Sequence, residues 1–247
     1  MDNNAQITII QKPSQDNPFI VLIKPRNLPS APLTEGEDSA FTQAATIYPE
    51  LLKVDGKKKI EHGLIHRIDT QTEGLILIAS TQESYESLIE SQNKGLFVKE
   101  YRAQCDNLPS SIQDGYPPIL DTFVSIPNDQ SIVVTSLFRT FGSNGEAVRP
   151  VTEKSGRAAK QKASQAVYTT TVTIERNQDQ ILAICSIKKG FRHQVRCHLA
   201  WIGFPVIGDS LYNKNYKQAD YLHFSATQFS FPHPITKQMV VYSIGER

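Results

Sequence analysis

The sequence predicts an α+β fold with a mixed, largely antiparallel β-sheet and flanking helices and loops. Three observations predict this class. Short segments that are apolar throughout, or that alternate apolar and polar residues, recur along the chain. Few segments have the length and end residues of helices. The strand-like segments come in runs, with helices between only some of them. We expect residues 1–247 to form a single domain.

The first part of the chain predicts four strands and two helices. The predicted strands are Ile7–Gln11, Phe19–Lys24, Leu75–Ala79 and Phe97–Cys105. The predicted helices are Ser39–Tyr48 and Thr81–Gln92. The Leu75–Ala79 segment lacks polar residues, which is typical of a strand covered on both faces. Thr81 is a suitable residue to cap the second helix.

The second part predicts an irregular region, a hairpin, a helix and a closing strand. Residues 106–165 contain five prolines and a basic stretch, and we interpret them as loops, short edge strands and a mobile flap. The hairpin is predicted at Val167–Glu175 and Gln180–Ile187. The helix is predicted at Arg192–Ile202, between two glycines, and the closing strand at Leu222–Phe231.

Composition excludes several classes of protein. The net charge is +1, so no global charge points to nucleic acid, but residues 151–198 hold nine Lys or Arg against three acids. Three scattered cysteines are too few for a disulfide framework or a structural zinc site. The N-terminus does not resemble a signal peptide, and no apolar run has the length of a membrane span. We expect a cytoplasmic protein.

The stretch HRIDTQTEG, residues 66–74, is the first candidate for chemistry. It places Arg67 and Asp69 just before the predicted covered strand. A carboxylate in such a position loses solvent, and it stays ionised only when a cation or hydrogen bonds compensate. Arg67 is close enough in sequence to be that cation, but it is also free to point outward.

A second candidate cation lies in the predicted helix. Val195, Leu199 and Ile202 fall on one side of a helical wheel and predict the face that packs on the sheet. Arg196 lies on the flank of that face, where a guanidinium can bind a carboxylate through two hydrogen bonds. A salt bridge that only stabilises the fold is the equally ordinary alternative.

The third candidate is Tyr101. Because side chains alternate along a strand, we expect Tyr101 and Glu100 on opposite faces of the sheet. A tyrosine at the edge of a cleft can stack on a planar ring, although a lone tyrosine is more often part of the core. One acid, one arginine and one aromatic together suit an uncharged planar substrate within an anionic polymer. Chemistry on a nucleobase that has left its stack makes this demand.

Five blocks of the sequence resemble RluA-type RNA pseudouridine synthases, in the order of that family. HRIDTQTEGLILIA (66–79) resembles the signature HRLDxxTSGLLLxA, and VKEYRAQC (98–105) resembles K-x-Y-x-A-x-V. IVLIKPRNLPSAP (20–32) resembles the strand motif built on V-x-K-P. HQVRCHLAWIGFPVIGDSLY (193–212) and LHFSATQFSFPHPIT (222–236) resemble the two closing motifs.

The resemblance implies the pseudouridine synthase catalytic fold and the isomerisation of uridine in RNA to pseudouridine. By position in the motifs, Asp69 matches the catalytic aspartate, and Arg67 matches the arginine that enters the RNA stack. Tyr101 matches the tyrosine that packs on the uracil ring, and Arg196 matches the arginine that pairs with the catalytic acid. Asp69 would act as nucleophile or base, and the sequence does not choose between them.

The resemblance also implies the partners. We expect RNA, either ribosomal or transfer RNA, with no DNA or membrane partner, no cofactor, no metal and a monomeric protein. Additional substrate or RNA contacts are expected at His66, Thr72, Lys99, Arg192, His193 and Gln194. Basic loop residues at 57–59 and 154–162 are further candidates.

The sequence departs from the family pattern at a few positions. Glu73 replaces a serine, Ile68 replaces a leucine, and Phe191-Arg192 stands where Arg-Thr is usual. We find no segment ahead of Ile7 for an S4-like RNA-binding domain, so we expect RNA affinity to come from the catalytic domain.

Three alternatives have different chemistry. A catalytically silent RNA-binding module on the same fold would bind RNA without making pseudouridine. A metallohydrolase would need a metal site built from histidines, namely His62, His66, His193 and His198, but no HExxH motif is present. A retaining glycosidase would need a second carboxylate near Asp69, for which Glu73 is the nearby candidate.

Overall fold

The computed structural model describes residues 5–107, 115–118, 126–177, 180–218 and 221–245. The chain divides into two compact units. Unit 1 comprises Met1–Lys99 and Ser225–Arg247, and unit 2 comprises Glu100–Phe224. None of the described helices has the length and apolar character that crossing a membrane requires. The prediction of one domain over residues 1–247 stays a prediction.

Unit 1 is built on a mixed sheet. Its strands are β1 (Thr8–Gln11), β2 (Phe19–Lys24), β3 (Glu73–Ala79), β9 (Phe224–Pro232, all but its first residue) and β10 (Met239–Ser243). They lie in the order β1-β2-β3-β9-β10. β3 and β9 pair in parallel, whereas the other neighbours pair antiparallel.

The apolar runs of β2 and β3 form the centre of this sheet. Every residue of β2 is buried, and β3 is buried from Gly74 to Ala79. The two strands pair over six residues, from Phe19 opposite Ala79 to Lys24 opposite Gly74. The prediction of strands at Phe19–Lys24 and Leu75–Ala79 is confirmed. The core of the unit then collects aromatic side chains from several elements, among them Phe19, Phe97, Phe229 and Phe231.

Two capped helices flank the sheet, α1 (Ala40–Ile47) and α2 (Gln82–Asn93). Ser39 and Thr81 are their N-caps, and each forms a reciprocal capping box with the residue three positions later. Because these signals are local, the predicted helices agree with the observed ones to within a residue or two. Two short 3₁₀ helices, Pro49–Lys53 and Lys59–Glu61, lie between α1 and β3.

Gly74 permits the parallel contact between β3 and β9. Its φ is +132°, and a Cβ at this position would lie 2.2 Å from the carbonyl oxygen of Ala226. Any larger residue would therefore push the two backbones apart.

The described part of unit 2 contains four strands that pair antiparallel and a fifth, β4 (Val98–Cys105), which crosses the division between the units. The four are β5 (Ser131–Phe141), β6 (Ala147–Val151), β7 (Tyr168–Arg176) and β8 (Ile181–Ile187). The order is β4-β8-β7-β5-β6. The predicted hairpin is confirmed as β7 and β8.

The prediction of an irregular region at 106–165 is wrong for its second half. The eleven-residue β5, the shorter β6 and the helix α3 (Arg157–Gln161) lie there, so the predicted flap contains regular structure. Residues 108–114 and 119–125 of this region lie outside the described residues.

The helix α4 (Gln194–Trp201) is buried on all sides. Each of its eight residues is buried, including Arg196 and His198. The predicted apolar face of Val195, Leu199 and Ile202 is buried, and Arg196, predicted on the flank of that face, is buried as well. Polar groups on this helix must find their partners inside the protein.

Candidate active site

The segment before β3 holds Asp69 in a tight turn. Residues 63–65 lie alongside the end of β3, with a hydrogen bond from Ile65 N to the Leu77 carbonyl and one from Ala79 N to the Gly63 carbonyl. The chain then turns back, and Thr72 N donates to the Asp69 carbonyl over 3.0 Å. Asp69 is thus the first residue of a turn that leads directly into β3, and its side chain is partly exposed.

Two side chains fix this turn. Ser30 lies in the loop after β2, and Lys24 is the last residue of β2. The Ser30 hydroxyl donates to the Ile68 carbonyl over 2.8 Å and accepts from Ile68 N over 3.1 Å. The ammonium of Lys24 donates to the Thr70 carbonyl over 3.0 Å, and to the carbonyls of Pro25 and Leu28. The residues on both sides of Asp69 are therefore bonded to Ser30 and to Lys24, which restricts the position of its carboxylate.

Lys24 also places a cation near the two acids of this segment. The residue is 0% exposed, and desolvation lowers its pKa to about 7. The charges of Asp69 and Glu73 act in the opposite direction and favour the ammonium form. Three carbonyl acceptors and two nearby carboxylates explain how this lysine is accommodated without solvent.

Arg67 lies on the surface. Its side chain is 55% exposed, and its guanidinium bonds to the Glu61 carboxylate over 2.9 Å; Lys58 reaches the same carboxylate at 3.2 Å. The exposed position is compatible with entry into an RNA stack, which stays a prediction. An exposed pair of this kind contributes little to stability, so Arg67 can exchange partners at low cost.

Glu73, the departure from the family signature, has a local partner. Its carboxylate accepts from Arg26 Nη2 over 2.6 Å and from the Ser225 hydroxyl over 3.1 Å. The acid at this position is thus matched by an arginine two residues after Lys24. This arrangement favours a structural role, in which Glu73 joins the loop after β2 to the paired strands β3 and β9. It does not favour a role as a second catalytic carboxylate.

Three of the predicted RNA contacts in unit 1 are buried. His66 is 8% exposed, Thr72 1% and Lys99 6%. Neither ring nitrogen of His66 has a hydrogen-bond partner among the described residues, and neither does the Thr72 hydroxyl. Burial favours packing roles for these side chains, whose predicted contacts with RNA stay predictions.

In unit 2, Tyr101 occupies the buried face of β4. The strand alternates strictly, and Tyr101, Ala103 and Cys105 are buried while Glu100 and Arg102 are partly exposed. The Tyr101 ring stacks on Phe224 with centroids 5.2 Å apart and an angle of 9° between the planes. A packed neighbour on one side fixes the orientation of the ring, as a stacking platform requires.

Arg196 is bound to a carboxylate that the sequence analysis missed. Its Nε donates to Asp209 Oδ2 over 2.7 Å, and its Nη2 donates to Asp209 Oδ1 over 2.8 Å. Asp209 also accepts from the backbone N–H groups of Leu211 and Tyr212. The segment GDSLY (residues 208–212) therefore orients the guanidinium of Arg196 on α4. The predicted pairing of Arg196 with Asp69 stays a prediction.

The residues ahead of Arg196 are held by hydrogen bonds within unit 2. Gln194 is buried, and its side-chain amide bonds to Phe191 N, the Thr169 carbonyl and the Thr170 hydroxyl. This use of the amide favours a structural role for Gln194 over the predicted RNA contact. His193 has a φ of 56° as the N-cap of α4, and its Nδ1 lies 3.0 Å from the Tyr212 hydroxyl.

Arg192 is exposed, and it donates to the carbonyl of Ala147 over 3.1 Å and to that of Gly145. Both acceptors are neutral backbone groups, so the positive charge of the guanidinium is not cancelled by them. Of the predicted RNA contacts in the α4 region, Arg192 is thus the one whose surroundings best suit a phosphate.

A comparison with models of protein families identifies the family of this chain. The model of the family described as RNA pseudouridylate synthase matches residues 18–201. The chain belongs to the RNA pseudouridylate synthase family. The matched span contains both Asp69 in its turn and Arg196 on α4.

Individual relatives within the family are distant. An uncharacterized RNA pseudouridine synthase of Mycoplasma pneumoniae is 28% identical over 231 residues, covering 91% of this chain and 63% of the relative. The ribosomal large subunit pseudouridine synthase D of Zymomonas mobilis is 26% identical over 238 residues, covering 92% and 66%. The chain thus spans less than two thirds of the length of these relatives.

Solved structures of the family share the fold. Human RNA Pseudouridylate Synthase Domain Containing 1 superposes with a TM-score of 0.66 at 15% identity, covering all of this chain and 86% of that one. The human Domain Containing 4 protein gives a TM-score of 0.62 at 18% identity, covering 96% and 87%. The predicted α+β class is confirmed.

The histidines considered for a metallohydrolase have other surroundings in this family member. The two ring nitrogens of His198 lie 2.9 Å from the Ser136 hydroxyl and 2.8 Å from the Thr170 hydroxyl. His62 stacks on Phe41, and its Nδ1 faces the Val54 carbonyl. Within the described ranges, His, Cys, Asp and Glu side chains form no group of three or more that could hold a metal ion.

A groove of about 590 Å³ in unit 1 is a poor match for the substrate of a pseudouridine synthase. It lies at the start of α2 and its polar lining includes Glu50 and Glu83. The groove has no Lys or Arg among its described lining residues. A surface with this charge repels the phosphates of RNA, so we assign the groove no part in the site.

Proposed function

We propose that this protein isomerises uridine in RNA to pseudouridine, with Asp69 as the catalytic carboxylate. The observation that carries the proposal is the position of Asp69 in the family signature. In this chain Asp69 lies in a turn, and the residues before and after it, Ile68 and Thr70, are bonded to Ser30 and Lys24. A carboxylate fixed in this way is suited to a reaction that requires one well-placed acid.

In the proposed reaction the N1–C1′ bond of uridine breaks, the uracil turns, and a C5–C1′ bond forms. The proton lost from C5 goes to solvent, and N1 gains one. Asp69 takes part in its ionised form, either by attacking C1′ or by removing a ribose proton, and both routes remain open.

Three further side chains have proposed roles in this reaction. Arg67, which is exposed, takes the place of the extruded uridine in the RNA stack. Tyr101, held against Phe224, packs on the uracil ring. Arg196, oriented by Asp209, stabilises the negative charge of the catalytic acid.

We further propose that the RNA is ribosomal or transfer RNA and that the protein acts in the cytoplasm as a monomer, without a metal or cofactor. One relative is named a ribosomal large subunit pseudouridine synthase. The exposed lysines and arginines at 57–59 and at 154–162 supply sequence-independent contacts with phosphates. Single-stranded loops are the favoured targets because their bases are easier to extract.

Mapping of pseudouridine in total RNA from cells with and without the gene tests the proposal. We expect one or a few sites to disappear with the gene. They should return with the parent gene and with Asp55→Asn, a control at an exposed aspartate. The Asp69→Asn protein should not restore them, although it should still bind the RNA. Binding by the parent protein without pseudouridine formation would instead support the silent RNA-binding module.

A further inference from the structure

Two aromatic side chains of unit 2 stack on each other at the protein surface. The ring centroids of Tyr221 and His223 lie 4.1 Å apart, with an angle of 18° between the ring planes. Tyr221 is 55% exposed, and His223 is partly exposed. A lone exposed tyrosine is ordinary, but an exposed ring that lies flat on a second ring has a fixed orientation. Such a ring is suited to stack on a further planar group.

The backbone of this pair is fixed within unit 2. His223 N donates to the Ile207 carbonyl over 3.0 Å, and the His223 carbonyl accepts from Gln104 N over 3.1 Å. Gly208 packs so closely that a Cβ on it would lie 1.8 Å from the carbonyl oxygen of Tyr221. Both rings are therefore presented by backbone whose position is set before a ligand arrives, which lowers the entropic cost of binding.

The pair lies near the ring that is proposed to pack on uracil. Gln104 is on β4 with Tyr101, three residues after it. Phe224, on which the Tyr101 ring stacks, directly follows His223. Three residues of extended chain span at most about 11 Å, so the Cα atoms of Tyr221 and Phe224 lie within that distance of each other.

The segment before the pair carries the charge that a phosphate backbone requires. Lys214 and Lys217 are exposed, and Tyr216 between them is 38% exposed. Residues 210–221 hold these two lysines and one acid. Lysines beside exposed aromatic rings suit single-stranded nucleic acid, because cations contact its phosphates while the rings stack on its bases. Residues 213–221 lie between the two closing motifs of the family, so the resemblance assigns them no role.

We propose that Tyr221 and His223 form a stacking platform for an unpaired base of the substrate RNA next to the target uridine. This inference rests on the proposed function, which assigns the uracil itself to Tyr101. Every base has a π face, so the platform adds affinity and orientation without reading the sequence. The lysines of the preceding segment bind phosphates of the same strand.

Fluorescence anisotropy with two labelled oligomers of about ten nucleotides tests the platform. One is oligouridylate, and the other is a ribose-phosphate oligomer without bases. Tyr221→Ala should weaken the binding of oligouridylate about tenfold, as the loss of one stacked base predicts, and should leave the binding of the base-free oligomer unchanged. Tyr221→Phe should bind both like the parent. The matched control is Val133→Ala, at a residue of unit 2 that is 58% exposed, and it should change neither affinity.

The salt dependence separates stacking from charge. Replacing Lys214 and Lys217 together by alanine should weaken the binding of both oligomers and reduce the dependence of the affinity on salt. Tyr221→Ala should leave that dependence as in the parent. An equal loss of affinity for both oligomers in Tyr221→Ala would overturn the platform, because a base-free oligomer offers nothing to stack on.

A second measurement detects the stacking directly. The fluorescence of the Tyr221→Trp protein should fall when oligouridylate is added and should not change with the base-free oligomer. The parent is the control, because its one tryptophan, Trp201, is 3% exposed. Unchanged fluorescence of Tyr221→Trp with saturating oligouridylate would overturn the platform, as would a parent protein that does not bind oligouridylate.

Pseudouridine formation is measured separately. A parent protein that makes pseudouridine, with Tyr221→Ala binding oligouridylate equally well, would refute the platform alone. Binding that depends on Tyr221 without any pseudouridine formation would refute the catalytic proposal and leave the stacking surface in place.

Discussion

Replacing Asp209 by asparagine tests the energetics of the Arg196 site. The two side chains are 3% and 0% exposed and share hydrogen bonds of 2.7 and 2.8 Å. Asparagine keeps the shape but removes the negative charge, and breaking a buried ion pair from one side costs about 3–5 kcal/mol. We expect a loss near the lower end, about 3 kcal/mol, because the amide oxygen can still accept hydrogen bonds. For a chain of this size, that loss lowers the melting temperature by about 6–12 °C.

Urea unfolding followed by the fluorescence of Trp201 measures this loss. Trp201 is the one tryptophan of the sequence, lies on α4 and is 3% exposed, so it reports on the helix that carries Arg196. Asp129→Asn is the matched control, since Asp129 is an exposed residue of unit 2 with a φ of 57°, which asparagine tolerates. We expect that control to change the free energy of unfolding by less than about 0.5 kcal/mol. Equal effects of the two substitutions would refute the reasoning.

Three other predictions concern the turn, the aromatic platform and the pH dependence of unit 2. Ser30→Ala removes both hydrogen bonds to Ile68 and should lower kcat for pseudouridine formation more than it raises KM; a change in KM alone would contradict the positioning role. Tyr101→Phe should retain more activity than Tyr101→Ala because the ring stays stacked on Phe224, and equal losses would point to the hydroxyl instead. Burial lowers the pKa of His198 in the folded protein to about 3. As the pH falls below 6.5, the unfolded chain therefore takes up a proton at this histidine that the folded protein does not. The free energy of unfolding should then decrease by about 1.4 kcal/mol per pH unit as the pH drops from 6.5 toward 3. Urea midpoints measured by Trp201 fluorescence at pH 7 and pH 5 check this, and His198→Asn should reduce the slope; an unchanged slope would assign the effect to other groups.

Local signals account for the elements that were predicted well. β2 and β3 are apolar runs with clear ends, and Ser39 and Thr81 begin their helices through hydrogen bonds to residues three positions away. The missed strand β5 had a usable signal in the sequence, because residues 132–135 (IVVT) are all β-branched. The prolines and glycines around it dominated the interpretation of residues 106–165.

Only those site residues that lie in the family motifs could be predicted from the sequence. Asp69 and Arg196 follow from the family signature, but the partner of Arg196 in unit 2, Asp209, depends on how the chain folds back thirteen residues later. The burial of α4 on all sides was equally hidden, because a helix with an arginine and a histidine has the pattern of a surface helix. Likewise, no sequence pattern shows that the buried ammonium of Lys24 donates hydrogen bonds to three backbone carbonyls.

The parallel contact at Gly74 joins β3 to residues that come 152 positions later in the chain, Ser225 and Ala226. During synthesis, all residues of unit 2 therefore leave the ribosome before the sheet of unit 1 can be completed. Until then the Gly74 end of β3 lacks its β9 neighbour. The nascent chain thus has an incomplete β-sheet through much of translation, which is the kind of intermediate that molecular chaperones protect.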